Sequence, residues 1–405
     1  MRKGRRDLGD VAVHGRDATR GHPPTRVPRP TLDPGLAGGA RRLPRVADPS
    51  RDPGTSTAHA VSPDSGRHWT DAGAWEVAPG IHRIPLPLPM DGLRAINVYT
   101  IQTDDGLTLV DGGWHIPVAR ELLDTSLRSI GSGFGDIRRF LVTHVHRDHF
   151  TMATVLGREL GVDVALGRGE EPALDLLNDT ARLRENPFHA VLRSAGAGDL
   201  AAEWRRLEEP DDEEMSRLWR HPTSWFDGDH EIRVGTRTLD AVHTPGHTPG
   251  HFVFAERAEE VLFAGDHVLP TITPSIGFTV PPTPQPLGDF MASLTKVRGL
   301  PDLRVLPAHG PVAPSTHARV DELLAHHETR LADSLALVGP GGSTAYDVAR
   351  GLGWTRHLHA FDGLDWFNRG MAAMETKAHL DLLAARGRVT SDDAPDGVVY
   401  RVVGA

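Results

Sequence analysis

At 405 residues, 39% of them hydrophobic and 24% charged, the chain is long enough for two or three domains and has the make-up of an ordinary soluble protein. No run approaches the ~18 apolar residues of a membrane span, and the absence of cysteine excludes disulfides, thiolate metal ligands and cysteine nucleophiles. The net charge of −10 is uneven: residues 1–52 carry twelve Lys/Arg against six Asp/Glu, so the remainder holds −16, and so acidic a body disfavours nucleic acid as a partner.

Residues 1–72 are rich in Arg, Pro and Gly and show no helical or strand periodicity. Such a segment buries too little apolar surface to offset its ordering entropy, and a disordered extension is expected. The start Arg2-Lys3-Gly4-Arg5-Arg6 has the charge of an export signal, but no apolar stretch follows it, so a cytoplasmic location is expected. A translation start further in, at a valine such as Val61, would leave the extension out of the native protein.

Order is expected from Trp75. Strands are predicted at 81–85, 96–102 and 107–111, the last two joined by a turn at Asp104-Asp105-Gly106. Another strand at 138–143 ends at His144, a helix starts near Asp148, and a strand follows at 162–166. Residues 169–220 read as a helical insertion, with helical spacing at 173–183, 188–194 and 200–207. Two roles are open for it: a lid with an apolar lining of Leu176, Leu177, Phe188, Leu192 and Trp204, or plain packing onto the body. Strands return at 231–234, 237–242, 251–255 and 261–264. After a Pro-rich loop at 270–286 come a helix at 287–297 and a strand at 303–306. Strands followed by alternating helices and strands point to a layered α/β body. A helix at 316–337 and a Gly339-Pro340-Gly341-Gly342 linker precede a small unit, 343–405. Its helices at 345–352, 366–368 and 371–386 and its strand at 398–403 suggest a winged helix.

The strongest chemical signal is Thr143-His144-Val145-His146-Arg147-Asp148-His149. A histidine pair at i and i+2 at a strand end aims two imidazoles at one point, while Asp148 and His149 on the following turn reach a second. The chain here resembles the metallo-β-lactamase superfamily, whose signature is His-x-His-x-Asp-His. Further motifs carry the resemblance in order: Thr244-Pro245-Gly246-His247, Phe263-Ala264-Gly265-Asp266 and Leu306-Pro307-Ala308-His309-Gly310. It covers about residues 75–310.

The resemblance implies a four-layer αββα sandwich over 73–337, carrying the insertion, with the winged-helix-like unit appended. It implies one metal on His144, His146 and His247, another on Asp148, His149 and His309, and Asp266 bridging the two. The donors are all nitrogen or oxygen, which suits zinc, with iron or manganese admissible. Asp266 at the bridge, with no Cys in the chain, places it nearer glyoxalase II than the antibiotic-resistance enzymes. Asp111 and Thr143 are expected to orient ligand histidines, whereas His243, His251 and His267 are expected to be structural. The implied chemistry is attack of a metal-bridging hydroxide on the carbonyl of a small-molecule ester, thioester or lactone, with Asp148 and Asp266 as the catalytic carboxylates. A metal-dependent ribonuclease, prompted by the winged helix, and a mononuclear-iron sulfur dioxygenase are the alternatives. The unit 343–405 has seven Lys/Arg against eight Asp/Glu, so packing or homodimerisation is expected of it rather than nucleic-acid binding.

Overall fold

The computed structural model describes residues 68–89, 92–178, 186–207, 218–354 and 360–404. Most of the expected N-terminal extension, and the end of the helix expected at 173–183, lie outside the described residues. Strands buried on both faces set the architecture, which is why they read as near-continuous apolar runs. A seven-stranded sheet runs in sequence order through β1 (Trp75–Ala78), β2 (Ile81–Pro87), β3 (Ala95–Thr103), β4 (Gly106–Val110), β5 (Ile137–Leu141), β6 (Asp163–Gly167) and β7 (Ser224–Phe226). It is antiparallel as far as β4 and parallel from β4 to β7. The second sheet is built of β8 (His230–Val234), β9 (Arg237–His243), β10 (Phe252–Glu256), β11 (Val261–Gly265) and β12 (Arg304–Pro307), in the order β12-β11-β10-β9-β8. Only its β11–β12 pair is parallel.

The two-residue period of β10 and β11 sorts their side chains between two cores. Phe252, Phe254 and Phe263 join Tyr99, Leu141 and Leu306 between the sheets. Val253, Ala255, Leu262 and Ala264 face the other way, onto Phe290 and Leu294 of α6 (Pro286–Arg298) and Leu323 and Leu331 of α7 (Thr316–Ala336). Beyond the first sheet, Leu123 and Leu127 of α1 (Pro117–Ser129) and Phe150 and Leu156 of α2 (Arg147–Leu160) cover Ile96, Val98 and Phe140. The result is the expected four-layer αββα sandwich. Helix α1 had no counterpart in the sequence reading, although Pro117 opens it and Ala119, Leu123 and Leu127 form its buried stripe.

The insertion supplies α3 (Glu171–Asn178), α4 (Pro187–Ser194) and α5 (Gly198–Leu207). At the chain's end come β13 (Ser343–Thr344), α8 (Ala345–Gly351), α9 (Trp366–Ala385), β14 (Val389–Ala394) and β15 (Gly397–Val402), the strands ordered β13-β15-β14. The helical stretches expected at 366–368 and 371–386 are one helix, started by Asp365, whose side chain accepts from the Asn368 amide. Leu192, Leu200, Ala201 and Trp204 pack with Ala373 and Met374 of α9, so packing, not a lid, is the role of Leu192 and Trp204. Phe188 is half-buried and stacks on Phe278 of the Pro-rich loop. Trp204 donates its indole N–H to the Trp366 carbonyl and lies where a Cβ at residue 370 would stand, 2.1 Å away. Glycine is required there. Gly370→Ala is expected to lower the unfolding free energy by about 1–3 kcal/mol through overpacking, measured by denaturant titration.

Candidate metal centre

Each expected ligand sits where a strand stops. His144 follows β5 by three residues and His146 immediately precedes α2, which puts Asp148 and His149 in that helix's first turn. His247 lies in the β9–β10 connection, Asp266 directly follows β11, and His309 lies two residues past β12. The parallel pairing of β11 and β12 brings the last two to the same end of the sheet. That end is tied to the first sheet by Phe252 N–H to the Thr143 carbonyl and Asn97 N–H to the Ala308 carbonyl.

The seven side chains converge as two clusters: His144, His146, His247 and Asp266, and Asp148, His149 and His309. Asp266 faces both. Its Oδ2 is 3.4 Å from His247 Nε2 and 3.9 Å from His144 Nε2, while its Oδ1 is 3.4 Å from His309 Nε2 and 3.7 Å from His149 Nε2. Asp148 Oδ2 completes the second cluster, 3.4 Å from His309 Nε2 and 3.8 Å from His149 Nε2.

The outward nitrogens are held by acceptors, which fixes the tautomers. His247 Nδ1 donates to the Ser275 carbonyl and His309 Nδ1 to the Ala95 carbonyl, each at 2.8 Å. His149 Nδ1 donates to Asp111 Oδ2 at 2.9 Å. The Thr143 hydroxyl gives its one proton to the Asp111 carboxylate, so at 3.0 Å it must accept from His144 Nδ1. Asp111 and Thr143 therefore lie against the outward nitrogens of His149 and His144. The Asp111 backbone is left-handed, at φ 61°, a conformation few side chains tolerate. Arg83, buried, anchors Asn97, whose amide donates to the Pro307 and Gly310 carbonyls and so fixes the loop carrying His309.

With these tautomers, the Nε2 atoms of His144 and His247 present lone pairs to His146 Nδ1, at 3.0 and 3.1 Å. His146 has at most one proton for the two contacts, so one of them sets lone pair against lone pair. A cation removes that repulsion. In the second cluster, His149 Nε2, His309 Nε2 and Asp266 Oδ1 are buried without a hydrogen-bond partner, a costly arrangement that metal ligation would satisfy. The residues thus fit two hard or borderline cations.

The metal-free centre divides by charge: the first cluster's imidazoles are held neutral, whereas His149 and His309 favour protons that a bound cation would displace. Burial, then the neighbouring imidazoles, holds His144 well below the ordinary histidine range; burial and His247 lower His146 to about 3. Burial also lowers His247. For His149, burial opposes the charge, but Asp111, Asp148 and Asp266 outweigh it and raise the group to about 10. His309 is raised by Asp266 and Asp148 against the same burial. Burial disfavours the Asp148 and Asp266 anions, yet the facing histidines keep both below the carboxylate range. Five imidazoles and two carboxylates make a ligand set of charge −2, so two divalent cations would leave +2 for an anionic nucleophile and the developing charge of a substrate.

The profile of the Metallo-beta-lactamase superfamily matches residues 91–309, more than half the chain. The chain belongs to the metallo-β-lactamase superfamily. A superfamily relative, the Beta-lactamase-like protein 2 homolog of Caenorhabditis elegans, is 26% identical over 238 residues, 59% of this chain and 63% of that protein. Lactamase-like protein nscB of Neosartorya fischeri is 32% identical over 276 residues, 64% of this chain and 66% of its own length. The chain thus spans about two thirds of these relatives or slightly less. Among solved structures, a metallo-beta-lactamase family protein of Thermus thermophilus superposes with a TM-score of 0.66 at 26% identity, covering 81% of this chain and all of that one. A beta-lactamase domain protein of Burkholderia ambifaria gives 0.61 at 25% identity, covering 81% and 94%.

Of the neighbouring histidines, His243 and His251 are hydrogen-bonded supports, whereas both ring nitrogens of His267 are buried without a hydrogen-bond partner. His243 Nε2 donates to the Pro249 carbonyl. His251 accepts the Asp266 amide on Nε2 and gives its Nδ1 proton to Thr244 Oγ1. His267 is buried against the ring of Phe290. Three supports escaped the sequence reading: the Ser275 and Ala95 carbonyls, which no residue type announces, and Glu170, which sits in a run of charged residues.

Proposed function

We propose that this chain is a dinuclear metal-dependent hydrolase acting on the carbonyl of a small-molecule ester, thioester or lactone. The observation that carries this reading is Asp266, one oxygen toward each histidine cluster. It supports a bridging ligand and the glyoxalase-II-like assignment of the ligand set, whose nitrogen and oxygen donors suit zinc, with iron or manganese admissible. Bound divalent metals would supply Lewis acidity and a water made acidic enough to be deprotonated near neutral pH. The chain's own part is to hold donors in fixed tautomers and to place Asp148 within reach of a proton. Asp148, on the second cluster, keeps partial solvent exposure, whereas His144 and His149 have none.

An apolar acyl substrate is supported by aromatic side chains at the loop that holds His247. The loop whose Ser275 carbonyl holds that histidine carries Phe278 three residues on; Phe278 stacks on Phe188 at 4.1 Å between centroids and meets Phe367 edge-on at 5.9 Å. Half-buried aromatic surface favours an apolar acyl group. The order α7, β13, α8, α9, β14, β15 supports a winged-helix-like reading of the C-terminal region, but α9 is buried against α4, α5, α6 and α7. Lys377 is paired with Asp381 and Arg386 with Glu328. We therefore assign the region a packing role, and a small molecule rather than nucleic acid as the substrate. Among the described residues no helix is long and apolar enough to cross a membrane.

Acyl thioesters, lactones and single-stranded RNA, offered to purified protein, test this directly. Ester, thioester or lactone turnover that is lost in Asp148→Ala is expected. RNA cleavage lost in the same variant, with no acyl turnover, would replace the hydrolase by a nuclease.

A further inference from the structure

A buried acid outside the ligand set connects two of the ligand loops. Strand β6 ends in a turn at Arg168–Glu170, the first residues of the insertion, which carries Glu170 to a position with 0% exposure. There Thr248 Oγ1 donates to Glu170 Oε1, the backbone amides of Val145 and Gly250 lie toward the carboxyl, and Oε2 is buried without a hydrogen-bond partner of its own. Val145 lies between the ligands His144 and His146. Thr248 follows the ligand His247, and Gly250 precedes His251, which holds the Asp266 amide.

The approach is close enough to need glycine on both sides. A Cβ at Gly250 would lie 2.6 Å from Glu170 Cγ, one at Gly169 2.6 Å from the Pro249 carbonyl oxygen, and one at Gly167 1.9 Å from the Gly250 carbonyl oxygen. Neighbouring Arg168 turns away to Asp227 and Glu171. Of the second loop's other bonds, those from Gly246 N–H to Thr248 O and from His243 Nε2 to Pro249 O stay inside residues 243–251, while His247 Nδ1 reaches the Ser275 carbonyl and Ser293 Oγ reaches the Pro245 carbonyl. Phe252 N–H to the Thr143 carbonyl holds the loop's far end to the first loop, and Glu170 reaches the stretch from Thr248 to Gly250 that follows His247.

We propose that Glu170 is a positioning residue, whose buried carboxyl clips the His144–His146 loop to the His247–His251 loop and so sets the spacing of the three imidazoles of the first metal site. The second site is held otherwise, by α2 for Asp148 and His149 and by the Ala95 carbonyl for His309. The insertion's first turn is then part of the metal centre's frame, while α4 and α5 pack on α9.

This inference rests on the two-site reading. Its test is zinc affinity of the full chain, measured by competition with a chromophoric chelator, with His146→Ala identifying the binding step that belongs to the first site. Glu170→Ala is expected to weaken that step about 10- to 100-fold, the usual cost of losing an outer partner, and to leave the other step unchanged. Glu170→Gln, whose side-chain carbonyl still accepts from Thr248, should recover most of the affinity, and Thr248→Val should reproduce the selective loss. If Glu170→Ala does not fold, the Gln and Val variants carry the same comparison. Parent-like affinity at both sites, or equal weakening of both together with a lower melting temperature of the zinc-free protein, would overturn the assignment. A parent chain that binds one zinc would instead overturn the two-site reading.

Discussion

Replacing Asp266 by alanine is expected to deplete both metal sites at once and to cut turnover by more than about a hundredfold. Loss of an outer-shell partner alone commonly costs about 10- to 100-fold, and Asp266 presents one oxygen to each cluster at 3.4 Å from the nearest histidine nitrogen. His146→Ala differs in a readable way: its Nδ1 meets only His144 and His247, so the first site should empty while the second keeps metal. In the zinc-free protein Asp266→Ala removes an anion that the facing histidines hold below the carboxylate range, so some loss of stability is expected and the melting temperature is read beside metal content. Metal content by elemental analysis, alongside turnover, checks the pair. Full activity in Asp266→Ala would show that the bridge is misassigned.

The second large effect is on stability in acid, and it arises away from the metals. His327 of α7 and His379 of α9 are buried against each other, with Nδ1 of the first 3.3 Å from Nε2 of the second. His379 gives its Nδ1 proton to the Glu375 carbonyl, so its Nε2 accepts from His327, and both rings are neutral. A further proton on His379 would set donor against donor. Burial, with each other's proximity and that of His326 and Arg330, lowers His327 to about 2; burial, against the Glu375 carbonyl bond, lowers His379 to about 4. Below the ordinary value of 6.5 the unfolded chain binds these protons and the folded chain does not. Each histidine therefore costs about 1.4 kcal/mol of stability per pH unit as pH falls.

Glu375 runs the other way. Burial, against the pull of Arg330, pushes its carboxyl up to about 7, so between 4.5 and 7 the folded form holds the extra proton and this contribution is lost as pH rises. From pH 6.5 to 4.5, two histidines against one glutamate leave a net loss of about 3 kcal/mol from the cluster, on the order of a hundredfold in the unfolding equilibrium. Denaturant titrations at several pH values on parent, His379→Gln and Glu375→Gln resolve the parts. The parent-minus-variant difference should fall with acid for His379→Gln and rise with acid for Glu375→Gln. A pH-independent difference for either would mean that the group does not titrate as described.

What the sequence revealed of the site was its local part. His144, His146, Asp148 and His149 lie within six positions at a strand end and helix start, where backbone geometry alone sends their side chains to two neighbouring points. Asp266 and His309 were legible through the family resemblance, in Phe263-Ala264-Gly265-Asp266 and Leu306-Pro307-Ala308-His309-Gly310, and each follows a buried apolar strand. Glu170 was not, because Arg168-Gly169-Glu170-Glu171 reads as a solvated charged turn; that Glu170 is inside and Glu171 outside depends on Gly250, 80 positions away. Strands β1 and β7 were missed as short sheet edges with little period of their own. In α9, Gly370 looked like a break in a helix and proved to be the space that Trp204 fills. The insertion showed its helical period but not its partner, since the partner is α9, more than 150 residues on.

The most direct measurement is the metal content of the purified full chain, by elemental analysis with oxygen uptake followed in parallel. Two divalent metals per chain, with no oxygen consumed during acyl turnover, are expected from five histidines and two aspartates gathered around Asp266. One iron per chain with oxygen consumption would contradict the dinuclear hydrolase.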